Sequence, residues 1–175
     1  SISTSLMHIE WNGKKVNILD TPGYSDFIGD VKSAMKVCDT AIMVLKSAEG
    51  VEVGSEVSGK FVNEFGLPSS IIINKVDNEH STFDETLEKA KQRLTNGAIA
   101  VTFPITQGVT FNAVVDVLKM KAYTYGEAGT KKVTESDIPA ELKSKAEEYR
   151  TELIEKIAET DEALMNKYFE EGSLS

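Results

Sequence analysis

Apolar positions in this chain change spacing twice, and each change marks a change of structure. Leu6 to Trp11 and Lys15 to Leu19 are short strand-like runs separated by Asn12-Gly13, two residues that tolerate positive φ, so the pattern predicts an antiparallel ribbon over 5–20. After Pro22-Gly23 the spacing becomes helical, with Phe27, Val31, Ala34 and Cys38 on one face. Ala41 to Leu45 is then a continuous apolar run, as expected of a strand covered on both faces of a parallel sheet. A helix is predicted from about Ser55 to Phe65, ended by Gly66 and Pro68, followed by a second buried strand at Ile71-Ile72-Ile73. The next helix runs from about Phe83 to Leu94, with Ser81 as its expected cap and Asn96-Gly97 as its stop.

At Gly97 the pattern changes again. Ala98 to Ile105, Phe111 to Val117 and Lys119 to Tyr125 predict short strands of an antiparallel sheet, with turns at Gln107-Gly108 and Gly126 and a polar loop through Val133. The last third is helical: Pro139 suits a first turn, Leu142, Ala146, Tyr149, Leu153 and Ile157 share a face, and a shorter helix spans Asp161 to Phe169. An α/β unit thus precedes an α+β one.

Composition narrows the partners more than the fold. With 19 basic and 28 acidic side chains the net charge is -9 and evenly spread, and nothing in it resembles a basic phosphate-binding stripe of the nucleic-acid type. The single cysteine, Cys38, allows no internal disulfide, which fits a reducing cytoplasm. No apolar run approaches a membrane span, so no membrane partner is expected. His8 and His80 lack metal-ligand spacing, and the tyrosines at 123, 125, 149 and 168 read as packing residues.

Two polar motifs stand at the carboxyl ends of predicted strands, the edge where open α/β sheets bind ligands. Asn74-Lys75-Val76-Asp77 follows the isoleucine run. Guanine offers a ring N–H beside an exocyclic amine, and the carboxylate of Asp77 accepts from both, which adenine cannot match. Asn74 supplies its amide to the base or to a neighbouring loop, and the stem of Lys75 lies along the purine face. Asp20-Thr21-Pro22-Gly23 ends the ribbon. A carboxylate there holds Mg²⁺ through water, Pro22 shapes the turn after Thr21, and Gly23 lets a backbone N–H approach a terminal phosphate. No Gly-x-x-x-x-Gly-Lys-Ser/Thr loop occurs in the sequence.

The segment Asp20 to Phe27, Asp-Thr-Pro-Gly-Tyr-Ser-Asp-Phe, resembles the Asp-Thr-Pro-Gly-His-Val-Asp-Phe of translational GTPases, and Asn74 to Asp77 matches their guanine-specificity motif. Val114 to Tyr123 is similar to a segment of the subdomain that bacterial elongation factor G inserts into its nucleotide domain. The resemblance covers essentially the whole chain. It implies a partial GTP-binding domain at 1–96, an incomplete P-loop GTPase-type three-layer sheet without the phosphate loop and its strand. An inserted α+β subdomain follows at 97–175, with a small antiparallel sheet and C-terminal helices, incomplete at its end. The implied activity of the parent protein is GTP hydrolysis coupled to ribosomal translocation in the cytoplasm, with the acidic stalk protein of the large subunit near the insert.

By the same resemblance Ser1 takes the place of the switch residue that ligates Mg²⁺ together with Asp20. Tyr24 stands where the family keeps the histidine that orients the attacking water. A tyrosine holds its proton until about pH 10 and cannot imitate an imidazolium. Lys46 and Gly54 also depart from the family, which points to a divergent paralogue. Two readings stay open: a hydrolysing factor of the elongation factor G type, or a GTP-binding ribosome-associated regulator or ribosome-protection factor with weak hydrolysis. The family's phosphate loop would precede Ser1 and its Ser-Ala motif would follow Ser175, since Ser47-Ala48 lies in the wrong segment. The chain alone is therefore expected to hold neither GTP nor GDP tightly. The family's phosphate-loop strand lies between the strand ending at Asp20 and that of 41–45, so two exposed edges are expected to close on each other or to pair with another chain, including a second copy.

Overall fold

The Asn12-Gly13 turn forms as its residue types dictate, both residues having positive φ, and it joins β1 (Ser5–Trp11) to β2 (Lys14–Asp20) as an antiparallel ribbon that pairs Ser5 with Asp20. The computed structural model that shows this describes residues 2–126 and 132–172. Beyond the ribbon, a 3-10 turn at Ser25–Phe27 leads into α1 (Ile28–Met35), which buries Val31 and Ala34. The expected four-residue stripe is cut short at its far end, because the helix stops before Cys38. Next come β3 (Ala41–Lys46), α2 (Val53–Glu64), β4 (Ser69–Asn74) and α3 (Phe83–Arg93). β3 and β4 pair in parallel, with Lys46 opposite Asn74 at their carboxyl ends.

Two expectations about this first unit need correction. β3 is not covered on both faces: Ala41, Met43 and Leu45 are buried, whereas Ile42 and Val44 are 62% and 58% exposed. Ile72 of β4 is exposed beside them. The reason is layering, because α2 and α3 supply Val62, Ala90 and Leu94 to one face and no described helix lies on the other. Nor do the free edges close on each other. β2 and β3 belong to separate two-stranded sheets, so the ribbon stands apart with Met7, Ile9, Trp11, Val16 and Ile18 exposed.

The second unit has one strand more than its sequence suggests. β5 (Thr102–Pro104), β6 (Ala113–Asp116), β7 (Lys121–Tyr125) and β8 (Val133–Ser136) form an antiparallel sheet in that order. β8 escapes periodicity because all four of its residues are exposed. α4 (Lys143–Ala158) follows a 3-10 turn opened by Pro139, and α5 (Glu162–Glu171) is capped by Asp161, whose Oδ1 accepts from the N–H groups of Ala163 and Leu164. None of the described helices is long and apolar enough to cross a membrane.

α3 joins the two cores. Ala90 and Leu94 pack toward β3, while Phe83 and Leu87 belong to a second cluster with Phe103, Val115, Val117, Ala146 and Leu153. Ion pairs bridge α3 and α4 at the rim: Lys91 to Glu152 at 2.9 Å and Lys145 to Asp84 at 2.6 Å. Tyr149 of α4 meets Phe103 edge-on, with ring centroids 5.4 Å apart.

Burial, reinforced by the carboxylates of Asp84 and Glu88, pushes the Tyr149 hydroxyl up to about 12. A pKa raised on folding means that the neutral phenol's contribution is complete below about pH 10, the unfolded value, and is lost as pH rises toward 12. Urea midpoints taken at about pH 9 and about pH 11.5 should therefore fall more steeply in the native protein than in Tyr149→Phe. Equal slopes would mean that the hydroxyl is not shielded.

Candidate functional site

Both predicted motifs stand at strand carboxyl ends. Asp20 is the last residue of β2 and is exposed; Thr21 is half-buried, Pro22 is buried and anchors the turn, and Gly23 is exposed. A Cβ on Gly23 would meet no atom within 4 Å, so its backbone is open to an approaching group. The loop lies near the start of α2, where a Cβ on Gly54 would sit 3.7 Å from the carbonyl oxygen of Gly23. Tyr24 is 75% exposed, just before the 3-10 turn that opens at Ser25. Ser1, the second expected Mg²⁺ ligand, lies outside the described residues.

Asn74 ends β4, and the next residue, Lys75, is turned into the left-handed region at φ 57°. This reversal sends the chain away from the sheet, leaving Asn74, Lys75 and Asp77 exposed while Val76 tucks toward the second core. None of Asp20, Lys75 and Asp77 takes part in an ion pair among the described residues. Charged groups left free at the ligand edge of a sheet suit a polar ligand rather than an internal bridge.

The backbone beneath this loop is held at three points. The N–H of Ser47 donates to the Asn74 carbonyl at 2.9 Å, the N–H of Gly108 donates to the Val76 carbonyl at 2.8 Å, and the Asn78 N–H closes a turn onto the Lys75 carbonyl at 3.1 Å. Ser47 is fully buried; its hydroxyl lies 2.7 Å from that of Ser81, and its carbonyl accepts from the hydroxyls of Thr82 and Thr86. The side chain of Gln107 completes the set, accepting from the Ser81 hydroxyl at 3.2 Å and the Phe83 N–H at 2.6 Å.

That last bond corrects the expected cap of α3. The first helical N–H is satisfied by Gln107 from the second unit, and Ser81 reaches back to Ser47 instead. Sequence reasoning missed Ser47, Ser81 and Gln107 as supports of the loop. Gln107-Gly108 is legible only as a turn, because its partners lie more than twenty residues away in sequence.

The residues present suit a guanine nucleotide with Mg²⁺: a free carboxylate at Asp77 for the base, an open backbone at Gly23 for a phosphate, and a free carboxylate at Asp20 for a hydrated cation. No three of His, Cys, Asp and Glu come together among the described residues, so a cation at Asp20 would draw its other ligands from water and phosphate.

Comparison with known proteins agrees with this chemistry. The crystal structure of ttk003000868 from Thermus thermophilus is similar to this chain with a TM-score of 0.87 and 29% identity, over 99% of this chain and 25% of that one. The chain thus spans about a quarter of that relative's length. The family model described as the elongation factor Tu GTP binding domain matches residues 1–171, nearly the full length, and the protein belongs to that family of GTP-binding domains.

Proposed function

We propose that this chain is the guanine-reading part of a translational GTPase of the elongation factor G type, whose full-length form hydrolyses GTP on the ribosome. The observation that carries the reading is the Asn74–Asp77 loop, turned out of the sheet at Lys75 with its charged side chains free. Asp77 accepts from the guanine ring N–H and exocyclic amine. Asn74 steadies the base edge, and Lys75 covers one purine face. The N–H of Gly23 donates to the terminal phosphate, and Mg²⁺, when bound beside Asp20, neutralises phosphate charge. The segment from Val114 to Tyr123, which forms β6, a turn and the start of β7, supports elongation factor G over ribosome-protection factors. The cytoplasm, the ribosome and the acidic stalk protein follow from the same resemblance.

The divisions at 1–96 and 97–175 are part of this proposal, as is weak nucleotide binding by the chain alone. Calorimetric titration of GDP with Mg²⁺ should show no micromolar binding to the 175-residue chain and clear binding to the full-length protein. Micromolar binding to the chain itself would require a phosphate site elsewhere in it. A second copy filling the free edge of β3 would appear as a dimer in solution.

Tyr24 favours the second reading, a factor that binds GTP and hydrolyses it slowly. Positioned acid–base groups contribute about 10²–10⁴-fold. Tyr24→His in the full-length protein should therefore raise ribosome-stimulated turnover by about 10²-fold. An unchanged rate would assign hydrolysis to other groups and remove Tyr24 from the argument.

A further inference from the structure

We propose that Gln107 and Gly108, in the turn between β5 and β6, are positioning residues for the guanine-reading loop, so that the inserted unit sets how sharply Asp77 discriminates guanine. The inference rests on the assignment of Asn74–Asp77 to the base and names what aligns that loop.

Asp77 has no secondary structure of its own to hold it. It follows Val76, whose carbonyl accepts from the Gly108 N–H at 2.8 Å, and precedes Asn78, whose N–H bonds the Lys75 carbonyl. The turn that brings Gly108 here needs glycine for its backbone, because its φ is +73°, in the left-handed region that L side chains rarely adopt. Gln107 fixes the turn that delivers Gly108. Its side-chain oxygen takes the orphan N–H at the start of α3 and the Ser81 hydroxyl, and Ser81 passes the link to the buried Ser47. Ser47 in turn donates its N–H to the Asn74 carbonyl. A closed ring of hydrogen bonds therefore runs from one end of the reading loop, through Ser47, Ser81 and Gln107, to Gly108 and back to the middle of the loop.

A bidentate pair between a carboxylate and the two guanine donors depends on orientation more than on contact. A loop released from Gly108 still carries Asp77 but no longer aims both oxygens. The expected signature is a loss of discrimination between bases rather than a loss of fold.

The test uses the full-length protein and two probes, GDP and inosine diphosphate, which lacks the exocyclic amine. Gln107→Ala should lower the GDP preference over inosine diphosphate by about tenfold with the thermal midpoint of the unliganded protein little changed. Gln107→Glu keeps the acceptor, places a carboxylate at a helix N-terminus and should restore the preference. Ser81→Ala cuts the ring at a gentler point and should lower the preference about threefold, which keeps the test decisive where Gln107→Ala does not fold. Asp77→Asn is the control. If it abolishes the preference while Gln107→Ala and Ser81→Ala leave it intact, the positioning role is overturned and the guanine assignment stands. If Asp77→Asn also leaves it intact, the guanine assignment fails first and takes the positioning role with it.

Discussion

Replacing Asp77 by asparagine in the full-length protein is expected to weaken GTP and GDP binding by about 10²–10³-fold and to make xanthine nucleotides the better ligands. In the proposed site the carboxylate accepts two charge-assisted hydrogen bonds from guanine, each worth about 1.5–3 kcal/mol and not fully additive. Asparagine keeps one acceptor and turns the other position into a donor, which meets the guanine amine donor to donor. Xanthine carries a carbonyl where guanine carries that amine, so the same exchange mends the mismatch. Asp77 is exposed and free of ion pairs among the described residues, so the fold should not notice: the urea midpoint should stay within the roughly 0.5 kcal/mol typical of surface changes. Paired titrations with guanosine and xanthosine diphosphates measure the switch. Unchanged guanosine affinity would remove Asp77 from the site.

Phe103→Ala should be the most damaging single truncation in the second unit, costing about 3–5 kcal/mol. The ring is 1% exposed, lies in the cluster that joins Phe83 and Leu87 of α3 to Val115, Val117, Ala146 and Leu153, and takes the edge contact of Tyr149. Its removal leaves a cavity whose walls belong to α3, the four-stranded sheet and α4 at once, so collapse around it is restricted. Ile42→Ala is the matched control, an apolar truncation on the exposed face of β3 that should change stability by no more than about 0.5 kcal/mol. The urea midpoints of the two variants, read at equal slope, check the contrast. A small effect at Phe103 would mean that the two units do not share a cooperative core.

Much of the local structure was legible from residue types acting over a few positions. Asn12-Gly13 demanded a hairpin, Gly66 and Pro68 ended α2, Asp161 began α5, and the polar quartet after Ile71-Ile72-Ile73 stood where an α/β sheet presents its ligand edge. These features depend on φ preferences, caps and spacing, which a sequence carries in full. β8 was illegible because four exposed residues carry no periodicity. The covering of β3 was misjudged for a related reason: an unbroken apolar run says what a strand tolerates on both faces, whereas the layer that arrives to cover it is a matter of tertiary packing.

Residue types alone were enough to propose the chemistry at the two strand ends: a carboxylate at Asp77 for guanine, a glycine at position 23 open to a phosphate, and, by resemblance, a tyrosine at position 24 in place of a histidine. What holds that chemistry in place came only from the folded chain. Gln107 caps a helix that starts twenty-four residues before it, and Gly108 reaches the carbonyl of Val76, farther back still along the chain. Neither bond leaves a periodic or compositional trace, because each is made by a single polar group meeting one backbone atom far along the chain, and only the packing of the second unit against α3 brings them within reach.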